Sequence, residues 1–203
     1  MRSTAAIGLV AVAILAWTAT GLGVEVSVEL STVNMAHVNT EIGAYADQHH
    51  ESISGIHVAW GGAIQSGLGF SILGMEPTLG VRVLLAATES GGGTIGSSLL
   101  GVSIGGLYRF GAWSVRGDLN MYRGTFSFVR GGYDGLSGLG IGAAAAAGYA
   151  IRLGQKVQVR LEVGLQWLPV DEMTGADGVA HQGRSGEPFL DFTGVGVTVG
   201  VTW

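Results

Sequence analysis

Side chains able to do chemistry gather in two stretches of the chain. His37 and Glu41 would stand one helical turn apart, and His49, His50 and Glu51 follow just beyond. Imidazole with carboxylate binds divalent cations, but a metal centre needs three or four ligands in fixed geometry, and paired histidines in a solvated loop serve as polar surface. The second stretch holds Asp171, Glu172, Asp177, His181 and Ser185, the side-chain types of a lipid-modifying or proteolytic enzyme, with no spacing that ties a nucleophile to a base. Gly138, Gly140 and Ala143 spell G-x-G-x-x-A with Glu162 downstream. A dinucleotide site needs a strand ending at the first Gly and a capped helix after it, whereas residues 133–137 are a polar, Gly-rich run. Gly91, Gly92 and Gly93 lack the Lys and helix of a phosphate loop. The expectation is no enzyme, no metal and no cofactor.

The elements that carry these residues follow from composition and periodicity. Of 203 residues, 47% are hydrophobic and only 12% charged, with 37 Gly, 3 Pro and a mean hydropathy of +0.43. Soluble domains carry about 25% charged residues, so part of this surface must face something other than water. A spanning helix needs roughly 20 apolar residues, and the best internal stretch, residues 138–151, is Gly-interrupted and stops at Arg152. A membrane chain without such helices must close into a barrel. Arg2, the apolar run 7–17 and the small residues 19–23 mark residues 1–23 as a cleaved signal peptide, leaving a barrel domain of residues 24–203. The net charge of −5 argues against nucleic acid as a partner, and zero Cys excludes disulfides and thiolate sites.

Eight segments alternate with period two, the pattern of strands with unlike faces. The chain ends V-G-V-T-V-G-V-T-W, with Val195, Val197, Val199, Val201 and Trp203 on one parity. Segment 113–123 sets Trp113, Val115, Leu119 and Met121 against Ser114, Arg116, Asp118, Asn120 and Tyr122, and segment 157–167 sets Val157 to Trp167 by odd numbers against Gln158, Arg160, Glu162 and Gln166. Segment 55–65 places Ile56, Val58, Trp60 and Ile64 outward. Long polar groups fall on the inward parity of alternate strands, facing Gly, Ala, Ser and Thr on their neighbours. Because an eight-stranded barrel is only just wide enough for side chains, Glu25, Glu29, Arg82, Arg116, Asp118, Arg160 and Glu162 are expected to fill the lumen as an ionic network; a narrow path for ions or small solutes is the alternative. Arg at the lipid midplane costs about 2–4 kcal/mol, and none of these Arg residues has outward parity.

Tight links at residues 111–112 and 153–156, and a short one at 73–77, alternate with longer Gly-rich links at 90–97, 124–137 and 168–189, as in barrels with short periplasmic turns and long outer loops. Tyr108, Phe110, Trp113, Tyr149 and Trp203 mark an aromatic girdle at the short-turn end, and Trp167 the opposite rim. Residues 34–52 break the alternation. Met35, Val38, Ile42 and Tyr45 recur at helical spacing after Asn34, a possible N-cap, so a short helix is expected in the first outer loop, its apolar stripe covering the barrel mouth.

In this pattern, in its even strand count and in the V-T-V-G-V-T-W ending, the chain resembles the small eight-stranded outer-membrane barrels, such as the OmpA transmembrane domain and OmpX. The resemblance covers nearly all of residues 24–203. It implies an all-β, eight-stranded, antiparallel up-and-down transmembrane barrel in the bacterial outer membrane, a monomer with lipid around it, whose last strand is recognised by the barrel-assembly machinery after passage with periplasmic chaperones. The resemblance says little of activity; the sequence favours a structural or surface-interacting role, with a porin-like channel as the alternative and a lipid-modifying enzyme as the third.

Overall fold

The computed structural model describes residues 24–90, 93–155 and 157–202. Eight strands form the wall: β1 Val24–Thr32, β2 Val58–Gly67, β3 Met75–Ser90, β4 Gly93–Phe110, β5 Trp113–Phe128, β6 Tyr133–Leu153, β7 Val157–Trp167 and, after four short strands described below, β12 Gly194–Thr202. Each pairs antiparallel with its sequence neighbour, β12 pairs with β7, and β1 closes the ring against β12 with Val28 opposite Val199. The result is a closed eight-stranded up-and-down barrel with no unpaired edge along its lower half, the arrangement that satisfies every backbone group without water. The expected signal segment 1–23 and Trp203 lie outside the described residues.

Parity sorts the two faces along the lower half. On β5 Val115, Leu119 and Met121 are exposed outward while Ser114, Asp118 and Asn120 are buried inward; on β7 Leu161, Val163 and Leu165 face out and Arg160, Glu162 and Gln166 face in. The wall has two heights. β3 to β6 are 16, 18, 16 and 21 residues long, whereas β1, β2, β7 and β12 have 9, 10, 11 and 9. The expected outer loops at 90–97 and 124–137 are therefore mostly strand, because the Ser, Thr, Gly and Phe residues there keep alternating and extend two tall hairpins. The expected short link at 73–77 also differs: residues 68–74 form a seven-residue connection and β3 already starts at Met75.

The tall wall leaves a notch over the short strands, and two inserted segments fill it. Helix α1, Ala36–His49, buries Val38, Ile42 and Ala46 along one stripe. It ends on His50 in the left-handed conformation, with Glu51 N–H donating to the Ala46 carbonyl over 2.9 Å, which satisfies carbonyls the last turn leaves open. Asn34 does not cap the helix; its amide donates to Asp191 instead, at 3.1 Å. Residues 168–193 fold back into the mouth through β8 Pro169–Val170, β9 Glu172–Thr174, β10 Ala180–Gln182 and β11 Leu190–Asp191. Ile56, expected to face outward, is buried because β2 begins only at Val58; Asn39 holds it by both backbone groups, at 2.7 and 3.0 Å.

Candidate functional site

The lumen of the lower half gathers the charged side chains of four strands. Arg82 on β3 makes a forked contact with Glu29 on β1 at 2.5–2.9 Å and donates to the Gln166 side chain at 2.6 Å, and Gln166 in turn donates to Ser31 at 3.1 Å. Arg116 on β5 reaches Asp118 at 3.1 Å, Glu162 at 2.9 Å, Glu25 at 3.8 Å and the Gln65 side-chain Oε1 at 2.5 Å. Arg160 pairs with Glu25 and, at 3.2 Å, with Glu162. All seven charged residues singled out from the sequence point inward and pair in two groups, Arg82 with Glu29, and Arg116 and Arg160 with Glu25, Asp118 and Glu162. Gln65, bonded to Arg116, and Gln166, bonded to Arg82 and Ser31, were missed; their inward parity was the signal that would have included them.

Glycine on the intervening strands makes this filling possible. A Cβ at Gly148 on β6 would lie 2.6 Å from the Glu162 Cγ, and one at Gly105 on β4 would collide with the Asp118 carboxylate. Alternate strands therefore surrender volume to the long groups of their neighbours. Small spaces remain, about 30 Å³ between Glu29, Gln65, Arg82, Arg116, Asp118 and Asn120 and about 20 Å³ between Glu25, Gln65, Thr78, Arg109, Arg116 and Arg160, room for about one to three water molecules each.

Above this web the interior changes character. Leu84, Leu99, Tyr122, Phe126, Phe128 and Leu136 line the tall wall and pack with Met35, Val38 and Ile42 of the helix segment and with Leu168, Val170, Phe189, Leu190 and Phe192 of the folded-back segment, all essentially solvent-free. Phe126 and Phe189 meet edge to face at 5.7 Å between ring centres. The Tyr122 hydroxyl donates to the Pro169 carbonyl at 2.6 Å, fixing the folded-back segment to β5. The G-x-G-x-x-A run finds its use here: side chains at Gly138 and Gly140 would strike Val170, the Glu172 backbone and the Tyr122 ring, so this stretch of β6 is the flat wall against which the plug lies.

The candidate catalytic and metal side chains are dispersed into that plug and its rim. Glu41 accepts from Arg184 at 2.6 Å and from the Tyr133 hydroxyl at 3.1 Å, and Glu51 pairs with Arg130 at 2.6 Å, tying the helix to the folded-back segment and to the β5–β6 hairpin. His181 meets Tyr133 and Phe189 edge to face. His37 is buried beside Phe189, and burial, aided by Arg184 and opposed by Glu41 and Glu187, holds it below the ordinary imidazole value. Among the described residues no cluster of three His, Asp or Glu could hold a metal ion.

Of the girdle residues, Tyr108, Phe110, Trp113, Tyr149 and Trp167 are exposed on the outward face. Trp113 and Tyr149 meet edge to face at 5.0 Å, and Tyr108 and Phe110 are neighbours at 6.2 Å. Val195, Val197 and Val199 of the last strand are also exposed outward.

No protein-family model matches the chain, and no curated protein matches its sequence. Among solved structures it is similar to the crystal structure of the outer membrane protein OprG from Pseudomonas aeruginosa, with 12% identity and a TM-score of 0.41 over 87% of this chain and 96% of that one. The barrel is established by its own strand pairings.

Proposed function

We propose that this chain is an integral outer-membrane β-barrel with a structural or surface-interacting role, its lumen closed by an ionic network below and an apolar plug above. The observation that carries this is a reversal of polarity along single strands. On β5 the exposed outward residues run Trp113, Val115, Leu119, Met121 and then turn polar at Arg123, Thr125 and Ser127, at the level where the inward residues change from Arg116, Asp118 and Asn120 to Tyr122, Phe126 and Phe128. β4 does the same, with Leu100, Val102 and Ile104 outward below and Ile95 and Leu99 inward above. A protein in water has no use for an apolar outer face around a charged interior; lipid requires it. On β4 the outward run from position 100 to 110, at about 3.3 Å per residue and a tilt of about 40°, covers roughly 25 Å, the height of a barrel's apolar band.

In this assignment the girdle residues sit at the periplasmic interface, Trp167 marks the outer one, and the two tall hairpins with the plug stand outside the cell. Assembly by the barrel machinery through the terminal sequence 195–203 belongs to the same proposal. The test is refolding into detergent and into lipid vesicles, followed by gel electrophoresis of unheated and boiled samples. A compact, heat-sensitive band supports the closed membrane barrel; an unfolded band in every detergent and lipid contradicts it. An ion path is the second reading, favoured by the charged lower lumen, and it requires the plug to leave the mouth.

A further inference from the structure

The connection between β2 and β3 is unlike the other turns at its end of the barrel. The β4–β5 turn is Gly111 and Ala112, and the β6–β7 link holds Gly154 and Gln155, both exposed. Residues 68–74, in contrast, read L-G-F-S-I-L-G before Met75, with no charge, and Leu68, Phe70, Ile72, Leu73 and Met75 are all exposed. Leu73 is 98% exposed, at the tip of a turn closed by reciprocal hydrogen bonds between Ile72 and Met75 at 2.9 and 3.0 Å. Its φ of 52° lies in the left-handed region, which costs a branched side chain free energy that Gly or Asn would avoid. A turn selected only to reverse the chain in water would hold neither this residue nor this apolar density.

The turn is continuous with the outward apolar face. Met75 stands opposite Tyr108 across the β3–β4 pairing, a Cβ on Gly74 would lie 3.1 Å from the Tyr108 ring, and Phe110 neighbours Tyr108. The inward parity at the same level is charged, with Glu76 and Arg109 paired at 3.0 Å. Apolar side chains therefore spread sideways from the girdle rather than over the lumen. We propose that residues 68–75 form a lipid anchor, an apolar turn seated in the periplasmic leaflet of the outer membrane beside Tyr108 and Phe110, with phospholipid acyl chains as its partner. The proposal rests on the membrane assignment above. Aromatic and aliphatic side chains at a bilayer interface hold a protein at fixed depth, and this turn would fix the β2–β3 side of the barrel against vertical and tilting motion.

The chain has no Cys, so single labels are readily placed. Leu73→Cys, Leu119→Cys at the centre of the outward face of β5 and Val179→Cys in the plug segment would each carry a polarity-sensitive fluorophore, in full chains refolded into phosphatidylcholine vesicles. The expected result at position 73 is blue-shifted emission, loss of quenching by iodide, and stronger quenching by lipids spin-labelled near the headgroup than near the chain end, while position 119 is quenched best by the deep label and position 179 by iodide. Iodide quenching at position 73 equal to that at 179, with position 119 still lipid-quenched, would overturn the anchor and leave the membrane assignment intact. Protection at 73 that appears only as protein-to-lipid ratio rises would also overturn it, in favour of a second copy. Iodide quenching at 119 would overturn the membrane assignment itself.

Discussion

The lower and upper halves of this barrel are built on opposite rules from the same strands. Below, apolar side chains face out and Arg116, Arg160, Glu25, Asp118 and Glu162 face one another inside; above, Thr125 and Ser127 face out and Phe126, Phe128, Phe189 and Ile42 form a dry core. Each half is stabilised by what its surroundings withhold. With the lower half in lipid, as proposed, no hydrophobic force drives its strands together, so side-chain pairing and backbone hydrogen bonds would hold it; the upper half, in water, would condense as an ordinary soluble core does. The boundary lies one or two residues wide on each tall strand, at Leu100 on β4 and between Met121 and Arg123 on β5.

The largest effect is expected from breaking the lower half. Arg116→Ala leaves Asp118 without its ion-pair partner and Glu25 and Glu162 with Arg160 alone, which should lower stability by about 3–5 kcal/mol in urea titrations of vesicle-inserted protein; Arg116→Met combined with Asp118→Asn should recover a substantial part, because pairing rather than charge itself is what the site needs. Ile42→Ala, in the upper half, should cost about 2–5 kcal/mol, but locally: the heat-sensitive gel band persists while protease begins to cut residues 168–193. Tyr122→Phe should cost about 1–3 kcal/mol by leaving the Pro169 carbonyl unpaired, seen as faster hydrogen exchange in β8.

The smallest effect is a pH dependence confined to the plug. Because His37 binds its proton less readily folded than unfolded, the unfolded plug takes up more protons, so plug stability falls as pH drops through the ordinary imidazole range near ~6.5 and levels off once the folded group is protonated too. Glu41 and Glu187 oppose this and Arg184 adds to it. Protease sensitivity of the plug should therefore rise with acid in the native chain, and His37→Leu should flatten that profile.

The lower half was largely legible in the sequence because period two has only two phases, and a charge on the wrong one is expensive. Parity alone turned Arg82, Arg116 and Arg160 inward and Tyr108, Trp113 and Tyr149 outward, which is where the structure has them. The upper half was not, for a physical reason: when polarity reverses, the alternation persists but its meaning inverts, so Ser97, Phe126 and Phe128 read as loop although they continue β4 and β5. The helix was visible from Val38, Ile42 and Tyr45, whereas Asn34 as its cap was not, because Asp191, distant in sequence, competes for the same amide. Residues 168–193 gave no periodic signal, since their burial depends on Gly138 and Gly140 across the mouth.

Single-channel recording tests the central claim most directly. Chains shown by gel shift to be folded in the bilayer should give no discrete conductance steps in planar membranes, because the ionic web and the apolar plug close the lumen in series. Stable, voltage-resolved steps from the native chain would contradict a filled barrel and make the ion path its function.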